Sequence, residues 1–256
     1  MEPLALIALA VIVIVALPFV LGPFLVRRNV RQKARPEFQA LDTESGELPA
    51  EVYQQFLKTV EVLKEDGFRV CGFYRQAGQA TRVTLYLALF KNDAQNDLGL
   101  GAAMYAAVED QSSLRTSFVA FTTHFHNGLQ VNTGNTAQLG VHAEVPTRKG
   151  KTFPDVTDPR RLYQIHRALC ARWGMSEKEP LPADAELLAR VAQNMAGELQ
   201  DQAAAGYYYL DSAGGCFRPT WKGAFLMTWK LCWPVTSIRK ALRASRNAAL
   251  LRELGV

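Results

Sequence analysis

Phe121 to Asn135 reads FTTHFHNGLQVNTGN and sets His124 and His126 one residue apart. On a strand, alternate side chains share a face, so His-x-His can offer two imidazoles to one metal ion. His142 is available as a third ligand, and three imidazoles with an open fourth position would make a hydrolytic zinc site. Against this, the nearest carboxylate in sequence is Glu144, and no recognised spacing joins His126 to His142. The plainer reading is a polar hairpin face.

Register decides where these histidines point. A two-residue Asn127-Gly128 turn mixes polar and apolar residues on each face. A three-residue loop, His126-Asn127-Gly128, with Gly128 in the left-handed region of a bulge, pairs Phe125 with Leu129 and Thr123 with Val131. Phe121, Phe125, Leu129 and Val131 then share one face, and Thr122, His124, Gln130 and Asn132 the other. The buried face selects this register. His166 lies beside an apolar helical stripe and reads as a core or boundary residue.

The second passage with functional content is TWKGAFLMTWKLCWP, at 220–234. It predicts a short helix, capped by Thr220 and ended by Pro234, that carries Trp221, Trp229 and Trp233. It is too short to span a bilayer. A basic helix follows. Trp221, Lys222, Trp229, Lys230, Trp233, Arg239, Lys240 and Arg243, with Arg27, Arg28 and Arg31 nearer the start of the chain, together suit contact with an anionic lipid surface, where tryptophan and snorkelling lysine both belong. Burial of the aromatic helix in a core is the competing expectation.

Leu4 to Val26 carries no charge over 23 residues. Such a helix is long enough to cross roughly 30 Å of hydrocarbon, so this segment predicts a single-pass anchor. Arg27, Arg28, Arg31, Lys33 and Arg35 follow it directly, which by the positive-inside rule puts the rest of the chain in the cytoplasm, N-out and C-in. The acid-containing start and the bulky LPFVLGPFLV run argue against a cleaved signal peptide.

The net charge is +5. The basic segment after the anchor holds +5 and residues 218–256 hold +7, so with Glu2 the middle, 36–217, carries −6. An acidic middle argues against a nucleic-acid partner for that part. Cys71, Cys170, Cys216 and Cys232 have no metal-knuckle or disulfide-framework spacing.

The expected organisation is an anchor at 1–26, a basic juxtamembrane segment and linker at 27–48, an α+β domain at 49–217, and an aromatic/basic helical tail at 218–256. Within the domain, Val52, Phe56, Val60 and Leu63 mark a helix ended by Gly67. About five strands follow as an antiparallel meander, over 68–75, 82–89, 98–108, 115–125 and 129–133. Gly99, Gly101 and Ala103 on one face of the third predict a closely packed helix. Two more helices begin near Thr157 and Asp184, with Leu188, Val191, Met195 and Leu199 expected inward on the second. A hairpin turns at Ala213-Gly214-Gly215. The functional expectation is a membrane-surface binding or scaffolding module without cofactor, contacting anionic lipid and a possible protein partner. A tethered zinc hydrolase using His124, His126 and His142, and a lipid-handling domain with an apolar pocket, are the alternatives.

Overall fold

A computed structural model describes residues 3–43, 46–80, 83–108 and 111–256. In chain order its elements are α1 (Pro3–Asn29), β1 (Gln32–Lys33), β2 (Gln39–Leu41), α2 (Ala50–Lys64), β3 (Arg69–Ala80), β4 (Val83–Asn92), β5 (Asp97–Val108) and β6 (Gln111–His124). Then come β7 (Gln130–Gly134), β8 (Arg148–Thr152), α3 (Pro159–Trp173), α4 (Asp184–Ala204), β9 (Tyr208–Asp211), β10 (Cys216–Pro219), α5 (Trp221–Leu231) and α6 (Val235–Leu254). The fold is α+β, and its residues separate into two compact units.

The sheet unit comprises 36–137, 144–193 and 250–256. Its seven strands lie in chain order, β2 to β8. Neighbours pair antiparallel from β2 to β7, as the short turns predict, but β8 joins β7 in parallel. The sheet is therefore mixed rather than a pure meander. β8 is Arg-Lys-Gly-Lys-Thr, which has neither apolar alternation nor β-branched enrichment to announce a strand.

α2 closes as its sequence requires. Gly67 adopts φ +87°, its N–H reaches Lys64 O at 3.0 Å, and Phe68 N–H reaches Leu63 O at 3.2 Å. Only glycine takes that left-handed turn without strain. The Leu63 and Phe68 side chains are both buried beside it. The buried face of α2, Val52, Phe56 and Leu63, lies in one cluster with Phe73, Phe90, Phe121 and the α3 stripe Leu162, Ile165 and Leu169. Gly101 of β5 admits this helix, since a Cβ there would stand 3.0 Å from the Phe56 ring, and Gly99 makes room for Phe90 of β4, 3.2 Å from where its Cβ would be. α3 begins on Asp158, whose carboxylate accepts from Arg160 N at 3.1 Å, with Pro159 in its first turn. On α4 the buried residue of the first turns is Leu187, not Leu188; Val191 is buried as expected.

The helical unit comprises 1–35, 138–143 and 194–249. A three-stranded sheet, β1-β10-β9, contains the predicted hairpin and takes in the basic segment as an edge strand, Gln32 opposite Phe217 and Lys33 opposite Cys216. Part of the expected basic juxtamembrane segment is thus structured. Tyr207, Tyr208, Phe217 and Met227 form the core. Among the described residues no helix is long and apolar enough to cross a membrane. The structure therefore gives no support to the spanning role expected of Leu4–Val26, and the side chains of residues 3–12 and 15 lie outside the description.

Candidate functional site

The aromatic segment forms α5, and its sequence explains how it is held. Thr220 Oγ1 accepts from Gly223 N–H at 2.9 Å and donates to Gly206 O at 2.7 Å, so one hydroxyl caps the helix and ties it to the turn before β9. Gly223 allows a close approach, since a Cβ there would lie 2.0 Å from Tyr207 O. Gly223, Ala224, Met227 and Thr228 face inward. Trp221, Phe225 and Trp229, spaced by four, face outward. α5 is thus neither a wholly buried core helix nor apolar all round in its surroundings.

α1 packs along α5. Gly22 sits over Thr228, where a Cβ would come within 2.4 Å of Thr228 Cγ2. Phe19 meets Trp229 with ring centroids 5.3 Å apart, and Phe24 meets Trp221 edge-on at 5.0 Å. The Arg27 guanidinium lies 4.7 Å from the Trp221 ring and 5.9 Å from Tyr209, a cation–π arrangement at the end of α1. Of the eighteen large apolar residues exposed among the described residues, all but Met175 and Val256 belong to this unit. They include Leu17, Val20, Leu21, Phe24 and Leu25 of α1 with Trp221, Phe225 and Trp229 of α5, and Trp233 just beyond it. That exceeds the scattered exposure normal for a soluble surface.

The expected lipid-facing cations divide into two groups. Lys230 turns inward, its ammonium donating to Val141 O (2.9 Å), His142 O (2.8 Å) and Tyr207 Oη (3.0 Å). Lys222 donates to Ala205 O, Arg239 to Lys230 O and Gly140 O, and Arg243 to Gln138 O. These four satisfy backbone carbonyls of their own unit. Arg28, Arg31 and Lys240 are exposed.

The histidine hairpin has the bulged register. Phe125 N–H donates to Leu129 O, Thr123 pairs with Val131, and Gly128 takes φ +78°. Phe121, Phe125, Leu129 and Val131 lie in the core. His124 is half-buried, and burial together with nearby Arg190 brings its imidazole down to about 4. His126 is exposed. His142 belongs to the helical unit, where Nδ1 faces Glu198 Oε1 at 3.1 Å and Nε2 faces Tyr208 Oη at 3.3 Å, so both ring nitrogens are engaged. Among the described residues no group of three or more His, Cys, Asp or Glu side chains could hold a metal ion. The alternative zinc site of His124, His126 and His142 does not form there: the first lies among Arg190, Glu179 and Arg148, and the third is committed to a glutamate and a tyrosine.

Sequence reasoning missed a buried polar chain behind that hairpin. Asp97, Thr123 and His166 are fully buried. Asp97 Oδ1 accepts from Lys178 Nζ at 2.7 Å and from Thr123 Oγ1 at 2.5 Å, and Oδ2 accepts from Tyr163 Oη at 2.8 Å. A carboxylate paired with lysine has no proton to give, so Thr123 must donate to it. Thr123 Oγ1 then accepts from His166 Nε2–H at 2.8 Å, and His166 Nδ1 accepts from Thr133 Oγ1 at 2.9 Å. Burial brings His166 down to about 4 and raises the neighbouring Cys170 thiol to about 11. Both are inert forms, and a fully satisfied chain of this kind specifies one core arrangement. The available signal was that Thr123 and Thr133 share the face of Phe121 and Val131 and needed a partner.

No family model, curated protein or solved structure matches the chain.

Proposed function

We propose that the protein is a membrane-anchored, non-catalytic module whose helical unit lies against a bilayer through α1 and α5. The observation that supports this reading most is the concentration of exposed large apolar side chains on those two helices, with Arg27 stacked on Trp221 where apolar surface gives way to charge. Tryptophan and arginine in that order suit the boundary between acyl chains and headgroups. Leu4–Val26 would supply the anchor, and Arg28, Arg31 and Lys240 the attraction to anionic lipid. The positive-inside rule then assigns the sheet unit to the cytoplasmic side, where it would bind a protein or lipid partner.

The test uses the full chain with Trp173→Phe, so that emission comes from the three tryptophans of the helical unit. After reconstitution, lipids brominated along the acyl chain should quench that emission strongly, and aqueous iodide should not. Quenching by iodide alone would overturn the reading, even if the chain remained with the vesicles.

A lipid-handling role for the sheet unit has less support. The interface between α2 and β5 is filled at Gly99 and Gly101 by Phe56, Phe68 and Phe90.

A further inference from the structure

β8 is an edge of the seven-stranded sheet, and a cleft of about 390 Å3 opens beside it. The wall is formed by Arg148, Lys149, Gly150 and Lys151 of β8, by Glu144 to Pro146, and by Trp173 at the end of α3. That volume falls in the range of small-molecule sites.

The backbone of β8 shows what the edge offers. In a parallel pair, alternate residues turn their amides to the partner strand. Gln130 N–H donates to Thr147 O and Phe153 N–H to Gly134 O, both at 2.8 Å. Lys149 and Lys151 therefore bond toward β7, while Arg148, Gly150 and Thr152 face away. Val145 O takes the Arg148 amide at 2.9 Å. The Gly150 N–H is left pointing from the edge into the cleft. Glycine is not required there by the fold, because a Cβ would meet only Asn132, at 3.9 Å, and φ is not positive. A glycine inside a strand with no such need fits a place where a ligand comes close to the backbone.

The charges agree. Arg69, Lys91, Arg160, Lys178 and Arg190 of this unit all sit in ion pairs. Lys149 and Lys151 have no carboxylate within ion-pair distance among the described residues. Lys149 Nζ instead lies 5.8 Å from the centre of the Trp173 ring. Two uncompensated ammonium groups and an outward amide make a phosphate site, while the neighbouring Arg148 guanidinium is taken by Gln130 Oε1. Glu144 on the same wall is an acceptor for hydroxyl groups, and Trp173 is a flat surface for the C–H face of a ring. The Val145–Arg148 turn blocks the addition of a peptide strand along β8, which leaves a compact ligand.

From this juxtaposition we infer that the cleft binds a phosphorylated polyol, with phosphate at Lys149, Gly150 N–H and Lys151 and the hydroxyl-bearing ring between Trp173 and Glu144. The site lies wholly within the sheet unit and stands apart from the membrane reading above.

The experiment is calorimetric titration of the full chain in mild detergent with myo-inositol 1-phosphate. Lys149→Ala/Lys151→Ala should weaken binding about tenfold or more, as loss of charge-assisted bonds does. Gly150→Pro replaces the outward amide hydrogen with a ring carbon and should weaken binding, while the amides that bond toward β7 remain. Lys58→Ala/Lys64→Ala, which deletes two exposed charges of α2, should leave it unchanged. No measurable binding, equal binding of inorganic phosphate, or equal loss in the α2 variant would each overturn the inference. Repeating the titration in nanodiscs separates the sources. If a phosphatidylinositol phosphate in the disc abolishes the heat of the soluble ligand, the cleft takes a lipid headgroup; if it does not, the cleft takes a free polyol phosphate.

Discussion

The His166 imidazole and the Thr123 hydroxyl meet at 2.8 Å with a fixed direction, histidine donating and threonine accepting. Thr123→Val keeps the shape but removes the acceptor for His166 and a donor to Asp97, leaving the buried N–H only the weak acceptor Cys170 Sγ, at 3.6 Å. Loss of about 2 kcal/mol is expected. Urea unfolding should show a lower midpoint with an unchanged slope for the sheet unit.

The same pair sets a pH dependence. His166 is held near 4, below its ordinary 6.5, so the unfolded chain binds the proton more readily than the folded one. Its contribution is fully present above pH 6.5 and is lost as pH falls from 6.5 through 4, on the order of 3 kcal/mol in all. His124, also held near 4, acts in the same direction and window. Long-range proton–nitrogen NMR at pH 5.5 should find His166 neutral, with the proton on Nε2. A charged imidazole there would contradict the hydrogen-bond chain.

Gly101→Ala tests the fit of α2 on the sheet. Its Cβ would stand 3.0 Å from the Phe56 ring, and overpacking of this kind costs about 1–3 kcal/mol. Gly150→Ala, with its nearest neighbour at 3.9 Å, should leave the melting temperature unchanged and serves as the control.

Lys230→Met separates two roles for one cation. Its ammonium satisfies Val141 O, His142 O and Tyr207 Oη, so replacement should destabilise the helical unit by about 1–3 kcal/mol. Quenching of the tryptophans by brominated lipid should persist. A lysine reaching for headgroups would give the opposite pattern.

Hydrophobic period and turn chemistry carried much of the fold. Gly128 at the bulge, Gly67 after α2 and the small residues of β5 were readable because each answers a local steric demand. β8 was not readable, because its pairing partner supplies the order that its own lysines do not suggest. Leu187 took the place expected of Leu188 because one step around a helix changes the face it presents. For the candidate site, Trp221 and Trp229 announced an exposed aromatic face. The inward turn of Lys230 was hidden, since it depends on carbonyls of residues 141 and 142, far away in the sequence. His142 was misjudged for the same reason: Glu198 and Tyr208 reach it only through the tertiary fold.

The contact of Gly22 with Thr228 joins the first helix of the chain to one of the last. As the chain emerges from the ribosome, α1 is made before α5, and the surface that receives it does not exist until the residues between them have been added. During that interval α1 has no protein partner for Phe19, Gly22 or Phe24. The helical unit therefore assembles late and from both ends, and removing the first 35 residues would strip it of α1 and of β1, its edge strand, rather than release an intact fragment.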